Sequence, residues 1–270
     1  MSNLLRKIKR NIVSALYLHG GGMTVSIGKF SRKPYKQFRK ELELLQRQAA
    51  GSPYPFPVTA LRPVYSDRED AAGSLPFHYF YQDLHVAGRI FMHNPPTHAD
   101  VGSRIDGFVA HVASFRKVDV YDVRPLEMNI PNVTFHQADM MRPESVEAES
   151  VDSLSCLHAL EHFGLGRYGD PICFEGYLTG FNTMTRMLKK GGRMYLSVPI
   201  GPQRIEFHAM RVFSVGYLLE MVAEHYEIVQ FSYIDDNNTF YPAVEMTPEK
   251  VRDNFGCNYG CGIFEMVKVK

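Results

Sequence analysis

The runs Ala99-Asp100-Val101-Gly102-Ser103-Arg104-Ile105-Asp106-Gly107-Phe108 and Val118-Asp119-Val120-Tyr121-Asp122-Val123-Arg124-Pro125 decide how this chain is read. The first is a short apolar strand running into a glycine turn and then a helix; the second is another strand, ending in a carboxylate. Asp122 follows Gly102 by about twenty residues, the separation at which a doubly wound sheet offers a carboxylate to the ribose hydroxyls of an adenosine-containing ligand. Together they predict a nucleoside cofactor, against the plainer reading of an ordinary strand-to-helix connection.

What the turn lacks narrows the ligand. A dinucleotide site uses a second glycine so that the backbone can approach a pyrophosphate, whose charge rests on the next helix N-terminus. Arg104 stands in that place, and Asp106 puts a carboxylate near the helix start, where it repels an anion. S-adenosylmethionine carries an amino acid and a sulfonium instead of a pyrophosphate and tolerates a looser turn. A nicotinamide-dependent oxidoreductase is disfavoured on the same residues.

Composition sets the class. With 270 residues, 45% hydrophobic and 22% charged, the chain can bury one large core and carry a small extension. A formal charge of +1 and the lack of a long basic run with interleaved aromatics in the C-terminal two-thirds argue against a nucleic-acid partner. Cys156, Cys173, Cys257 and Cys261 make no disulfide framework for a chain of this size, which predicts a reducing, cytoplasmic setting. Cys257 and Cys261 lack a second ligand pair at suitable spacing, so no metal ligand is assigned there. No stretch reaches the roughly 18 uninterrupted apolar residues of a spanning helix, and nothing specifies an oligomer.

Residues 1–75 read as an accessory, helical segment and 76–270 as the main domain. Leu4, Leu5, Ile8, Ile12, Val13 and Leu16 recur at helical spacing among Arg6, Lys7, Lys9 and Arg10. Such a basic amphipathic helix over residues 1–17 either docks on its own domain or lies on an anionic inner membrane surface. Gly20-Gly21-Gly22 breaks it, a polar helix follows from Tyr35 to Gln48, and Pro53, Pro55, Pro57 and Pro63 punctuate the connection. A helix from Tyr79 to Phe91 with an apolar face ends before Pro95-Pro96.

Strands are predicted at 98–102, 117–122, 132–136, 151–157, 192–198, 226–234 and 262–269, with helices at 106–115, 174–190 and 214–224. That alternation predicts an α/β, Rossmann-like doubly wound sheet, mainly parallel and seven-stranded. The last two strands have no helical pattern between them and are expected to form an antiparallel hairpin at the sheet edge.

Seven strands with a terminal hairpin is the layout of class I S-adenosylmethionine-dependent methyltransferases, and Lys189-Lys190-Gly191-Gly192-Arg193-Met194-Tyr195-Leu196-Ser197-Val198-Pro199 resembles their fifth-strand entry. The order of Asp100-Val101-Gly102-Ser103, Asp122-Val123-Arg124-Pro125, Ala138-Asp139 and Leu160-Glu161-His162-Phe163-Gly164-Leu165-Gly166-Arg167-Tyr168-Gly169-Asp170-Pro171 is similar to an uncharacterised methyltransferase-like family, domain of unknown function 268. The resemblance covers roughly 79–234 and implies the fold more strongly than the substrate.

Carried onto these residues, the methyltransferase pattern implies that Gly102 and Ser103 approach the methionine part and that Asp100 orients its amine. It also implies that Asp122 takes the ribose hydroxyls with Val123 beside it, and that Asp139 accepts from the adenine amine with Met140 against the ring. Leu157 and His158 end the fourth strand at the cofactor's reactive end. Plainer roles stand beside these: Asp139 as a turn cap, Asp122 with Arg124 as an ion pair, Met140 as core, and Tyr81 and Gln82 as core rather than a cover over the cofactor.

The polar segment after strand four lies where a parallel sheet binds ligands. Methyl transfer needs an aligned acceptor and a base. His162 is expected as that base, with Asp170 orienting it or the acceptor, and His158 and His208 as rivals. Glu161, Arg167, Tyr168, His208 and Arg211 are expected on the acceptor side, the arginines holding a carboxylate or phosphate. A divalent ion on Glu161, Asp170 and a histidine is a lesser reading. The expected activity is methylation of a hydroxyl on a sugar or glycan precursor, an acceptor that only the family resemblance implies. The alternative is a silent methyltransferase-like scaffold in polysaccharide assembly.

Overall fold

The computed structural model describes residues 33–51, 58, 61 and 77–270. The basic segment 1–17 and the proline-punctuated connection lie outside the described residues. The chain divides into two units, Met1–Ser74 and Leu75–Lys270. In the first, helix α1 (Lys33–Ala50) is strongly polar, with Leu44 and Leu45 more than half exposed.

The second unit starts with α2 (Phe77–His93), then β1 (Ala99–Val101). The expected helix at 106–115 is a π turn over Ile105–Val109 followed by α3 (Ala110–Ala113), because Gly107 at φ −122°, ψ −110° interrupts it. Next come β2 (Val118–Asp122), β3 (Val133–Gln137), β4 (Val151–Leu157), α4 (Gly176–Met187) and β5 (Leu188–Ile200). α4 ends three residues before the predicted boundary at 190, since Leu188 is already extended and the chain enters β5 through a register shift against β4. A small hairpin, β6 (Arg204–Glu206) and β7 (Met210–Val212), precedes α5 (Val215–Val222), β8 (Tyr226–Ile234), β9 (Phe240–Tyr241), α6 (Pro248–Arg252) and β10 (Gly260–Lys268). Ser214 caps α5 by accepting from the Tyr217 N–H, and Thr247 caps α6 in the same way from Lys250.

The main sheet has the order β3-β2-β1-β4-β5-β10-β8-β9. The first five strands are parallel neighbours, and β10 runs antiparallel to both β5 and β8. The last two predicted strands are therefore paired as expected, but β10 is interior and not at the edge. Its side chains are almost all buried, whereas β8 is half exposed. An apolar strand buried on both faces needs a neighbour on each side, and the short β9 is left to end the sheet.

Each face carries its own core. Phe181, Met184 and Met187 of α4 and Leu218 and Val222 of α5 pack on Leu154, Leu196 and Phe264; on the other face Val86 and Ile90 of α2 and Phe108 and Val112 pack on Val118, Val120 and Ile263. The alternation shows along β5, where Met194, Leu196 and Val198 face one core and Tyr195 the other. Parallel strands β1 to β4 consequently end together, and the turns that follow them form one wall of a cleft.

Candidate active site

The cleft is lined by Val101 and Gly102 at the end of β1, Tyr121 to Arg124 at the end of β2, Ala138 to Met141 after β3, and His158, Ala159, His162, Phe163, Tyr168 and Asp170 after β4. Gly102 is at φ +73°, and a Cβ there would come within 2.8 Å of the Ala159 Cβ. Asp122 is held in a fork: Oδ1 accepts from the Arg124 N–H and Nε at 2.9 Å each, and Oδ2 from Nη2 at 2.6 Å. The Arg124 guanidinium also lies 4.6 Å from the Tyr168 ring centroid, joining the two sides of the cleft. Asp139 accepts from the Met141 N–H at 2.9 Å and so caps its turn while lining the same space.

Asp100 is fully buried and does not line the cleft. Its oxygens accept from Ser103 N (3.1 Å), Ser103 Oγ (2.8 Å) and Ser155 Oγ (2.6 Å), so the carboxylate is spent on the turn and on β4. Because Ser155 gives its one proton to Asp100, it accepts from His98 Nε2 at 3.2 Å, and His98 Nδ1 in turn accepts from Ser153 Oγ at 2.9 Å. Burial raises the Asp100 carboxyl to about 7, with the hydrogen bonds from Ser155 and Ser103 opposing, and lowers the His98 imidazolium to about 3.

Stability inherits a pH dependence from Asp100. The unfolded residue ionises near 3.8 and the folded one near about 7, so its contribution is present below the lower value and lost as pH rises to the upper one. Relative to the wild type, Asp100→Asn is therefore expected to gain unfolding free energy as pH rises from 4 to 7. Urea unfolding at several pH values measures this, and a difference independent of pH refutes it.

His162 is 8% exposed, and its Nδ1 lies 2.7 Å from the Ala209 carbonyl. The carbonyl requires Nδ1 to carry the proton, which leaves Nε2 with a lone pair. Burial lowers its pKa and Arg167 adds to that, with Glu161 opposing. Asp170 does not orient it. The Asp170 carboxylate accepts from the backbone N–H of Gly164 (2.8 Å), Gly166 (3.2 Å) and Tyr168 (3.1 Å), closing the glycine loop on itself.

Other acceptor-side expectations are corrected by the same accounting. Arg211 is buried and gives its donors to the carbonyls of Phe163 (2.6 Å), Glu161 (3.4 Å) and Phe174 (2.9 Å), leaving it no free fork for an anion. Arg167 is exposed and bonds the Ala209 carbonyl at 3.0 Å. Glu161 is 1% exposed and pairs with His158 at 3.0 Å, away from Asp170, so the two do not form a shared ion site. His208, at φ +64°, sits on the exposed turn of the β6–β7 hairpin, outside the cleft lining; Leu157 and Ser103 are buried and are not lining residues of this cleft, Ser103 bordering a neighbouring depression with Asp122 and Arg124. Tyr81 stacks on Phe240, and Gln82 Oε1 accepts from Ser197 Oγ at 2.5 Å, so both serve the core. Tyr121, Arg124, Met141 and Phe163 line the cleft without having been singled out for it; each adjoins a predicted site residue, and that adjacency was the available signal.

The strand order, with an antiparallel strand inserted beside the fifth, decides the fold family. The fold is that of the class I S-adenosylmethionine-dependent methyltransferases. Solved structures agree: a 1,6-didemethyltoxoflavin-N1-methyltransferase of Burkholderia thailandensis, holding its substrate and S-adenosylhomocysteine, is 14% identical at TM-score 0.51, with 91% of this chain and 94% of that one covered. A sarcosine dimethylglycine methyltransferase assigned in Galdieria sulphuraria is 15% identical at TM-score 0.50, covering 69% and 85%. The [4+2]-cyclase SpnF is 13% identical at TM-score 0.53, covering 91% and 99%, so likeness of fold leaves the reaction open. Residues 128–254 match the family described as Caenorhabditis protein of unknown function, DUF268. No curated protein matches the chain.

Proposed function

We propose that the chain binds S-adenosylmethionine in this cleft and transfers its methyl group to a hydroxyl of a sugar or glycan precursor. One observation carries the reading: Gly102, Asp122, Asp139 and Met140 line one side of the cleft and His158 and His162 the other. In this reading Asp122 accepts from a ribose hydroxyl with the lone pair that Arg124 leaves on Oδ2, and Asp139 and Met140 meet the adenine. The sulfonium supplies an activated methyl carbon. His162, with Nδ1 held by Ala209, takes the acceptor proton at Nε2, and Tyr168 and Arg124 bound the acceptor. The sugar is the finer part of the proposal and rests on the family resemblance. Four unpaired cysteines support a reducing, cytoplasmic compartment.

Calorimetric titration of the full chain tests the cofactor. Micromolar binding of S-adenosylmethionine and S-adenosylhomocysteine is expected, with none for NAD. Asp122→Ala should weaken binding at least tenfold, about 1.4 kcal/mol. A folded chain that binds neither ligand refutes the reading and favours a silent scaffold. The forked Asp122–Arg124 pair supports that second reading, because it already occupies the ribose acceptor.

A further inference from the structure

Beside the cleft that His158 lines, three side chains from separate elements converge: His78 of α2, His158 just after β4 and Cys261 of β10. Their donor atoms lie within 4.8 Å of one another, and each residue is more than nine-tenths buried. His158 Nδ1 is engaged by Glu161 Oε1 at 3.0 Å, which leaves Nε2 as the free ring nitrogen. That Nε2 is buried without a hydrogen-bond partner, and so is Glu161 Oε2. An unpaired buried polar atom is costly because it has lost its water without gaining a partner, and here two of them adjoin one cluster. Cys261 Sγ donates to Gln82 Oε1 at 3.6 Å and lies 3.9 Å from the Gly262 carbonyl, and its thiol also interacts with the His158 ring.

We propose that His78, His158 and Cys261 bind a divalent transition-metal ion of the zinc class, with Glu161 as the carboxylate that orients His158. One thiolate and two imidazoles suit a borderline-soft ion and leave the fourth tetrahedral position to water or a small ligand. A carboxylate on the far nitrogen of a ligating histidine fixes its tautomer and raises its basicity, the usual support for such a ligand. Charge closes as well: the Cys261 thiolate and the Glu161 carboxylate neutralise the ion, so no net charge is buried. Binding displaces the thiol proton to solvent. The ion would tie α2 to β4 and β10. Cys257, four residues before Cys261, is not part of this group.

Metal binding here is independent of the methyltransferase reading, because it needs only this cluster and is tested without cofactor. The chelator-treated full chain is titrated with cobalt(II), then zinc. Stoichiometric cobalt uptake is expected, with the intense visible bands of a tetrahedral site and a thiolate-to-cobalt charge-transfer band, both erased by zinc. Cys261→Ser should remove the charge-transfer band, and His78→Ala should weaken cobalt binding at least tenfold. Cys173→Ser, at an exposed thiol, should change neither. Zinc should also raise the melting temperature of the wild type, a readout that needs no variant to fold. A folded wild type with no stoichiometric uptake and no zinc-dependent melting shift overturns the proposal. So does a charge-transfer band that survives Cys261→Ser.

Discussion

Arg211→Ala is expected to lower the unfolding free energy by about 2–4 kcal/mol, because it leaves buried carbonyls without a donor and removes packing. The guanidinium sits on β7 and draws together three carbonyls, of Glu161, Phe163 and Phe174, that flank the glycine loop after β4. It also lies 4.7 Å from the Tyr177 ring centroid, so the side chain is both a donor fork and a packing element. Truncation leaves those carbonyls facing a void, at about 1–3 kcal/mol for each group that water cannot reach. Arg211→Lys should recover only part of the loss, since one ammonium cannot span a planar fork's acceptors. Urea unfolding of both variants checks this. A loss below about 1 kcal/mol for alanine, the level of an ordinary surface change, would show that the loop does not depend on the clamp.

Gly164→Ala is expected to be comparably damaging, for a steric reason. Gly164 is at φ +75°, and an added Cβ would stand 2.0 Å from the Cys173 carbonyl oxygen, a backbone atom that cannot rotate away. Gly169, in the same loop at φ +83°, has nothing within 4 Å of where its Cβ would stand. Gly169→Ala should therefore show the left-handed backbone cost alone, about 1–2 kcal/mol. Gly164→Ala should exceed it by at least about 1–3 kcal/mol, the usual range for overpacking. Denaturant unfolding of the pair separates the two effects, and equal losses would refute the steric argument. Because Gly164 N–H donates to Asp170 at 2.8 Å, the same variant should also weaken S-adenosylhomocysteine binding in the cleft.

Much of the architecture was legible because local pattern and burial coincide. The strand predicted at 151–157 is β4 residue for residue, and that at 226–234 is β8. The errors fall where a local pattern meets a distant partner. The predicted helix runs on to 190, yet Leu188 is already paired with Val151 of β4, and Leu188 to Lys190 belong to β5. The placement of β10 inside the sheet depends on which strand neighbours which, and no periodicity carries that information.

The site divides in the same way. Sequence alone determined that carboxylates and glycines would follow β1, β2 and β3, and that the run from His158 to Asp170 would follow β4, because in a parallel sheet chain order fixes which end a loop occupies. Tertiary structure decided what each polar group touches. Asp100 is consumed by Ser103 and Ser155, Asp170 by its own loop, and Arg211 by three carbonyls, since buried polar atoms bond whatever lies in reach. His78, His158 and Cys261 meet only because β10 is threaded between β5 and β8 while α2 covers that face, and a contact made across strand order leaves no trace in local sequence.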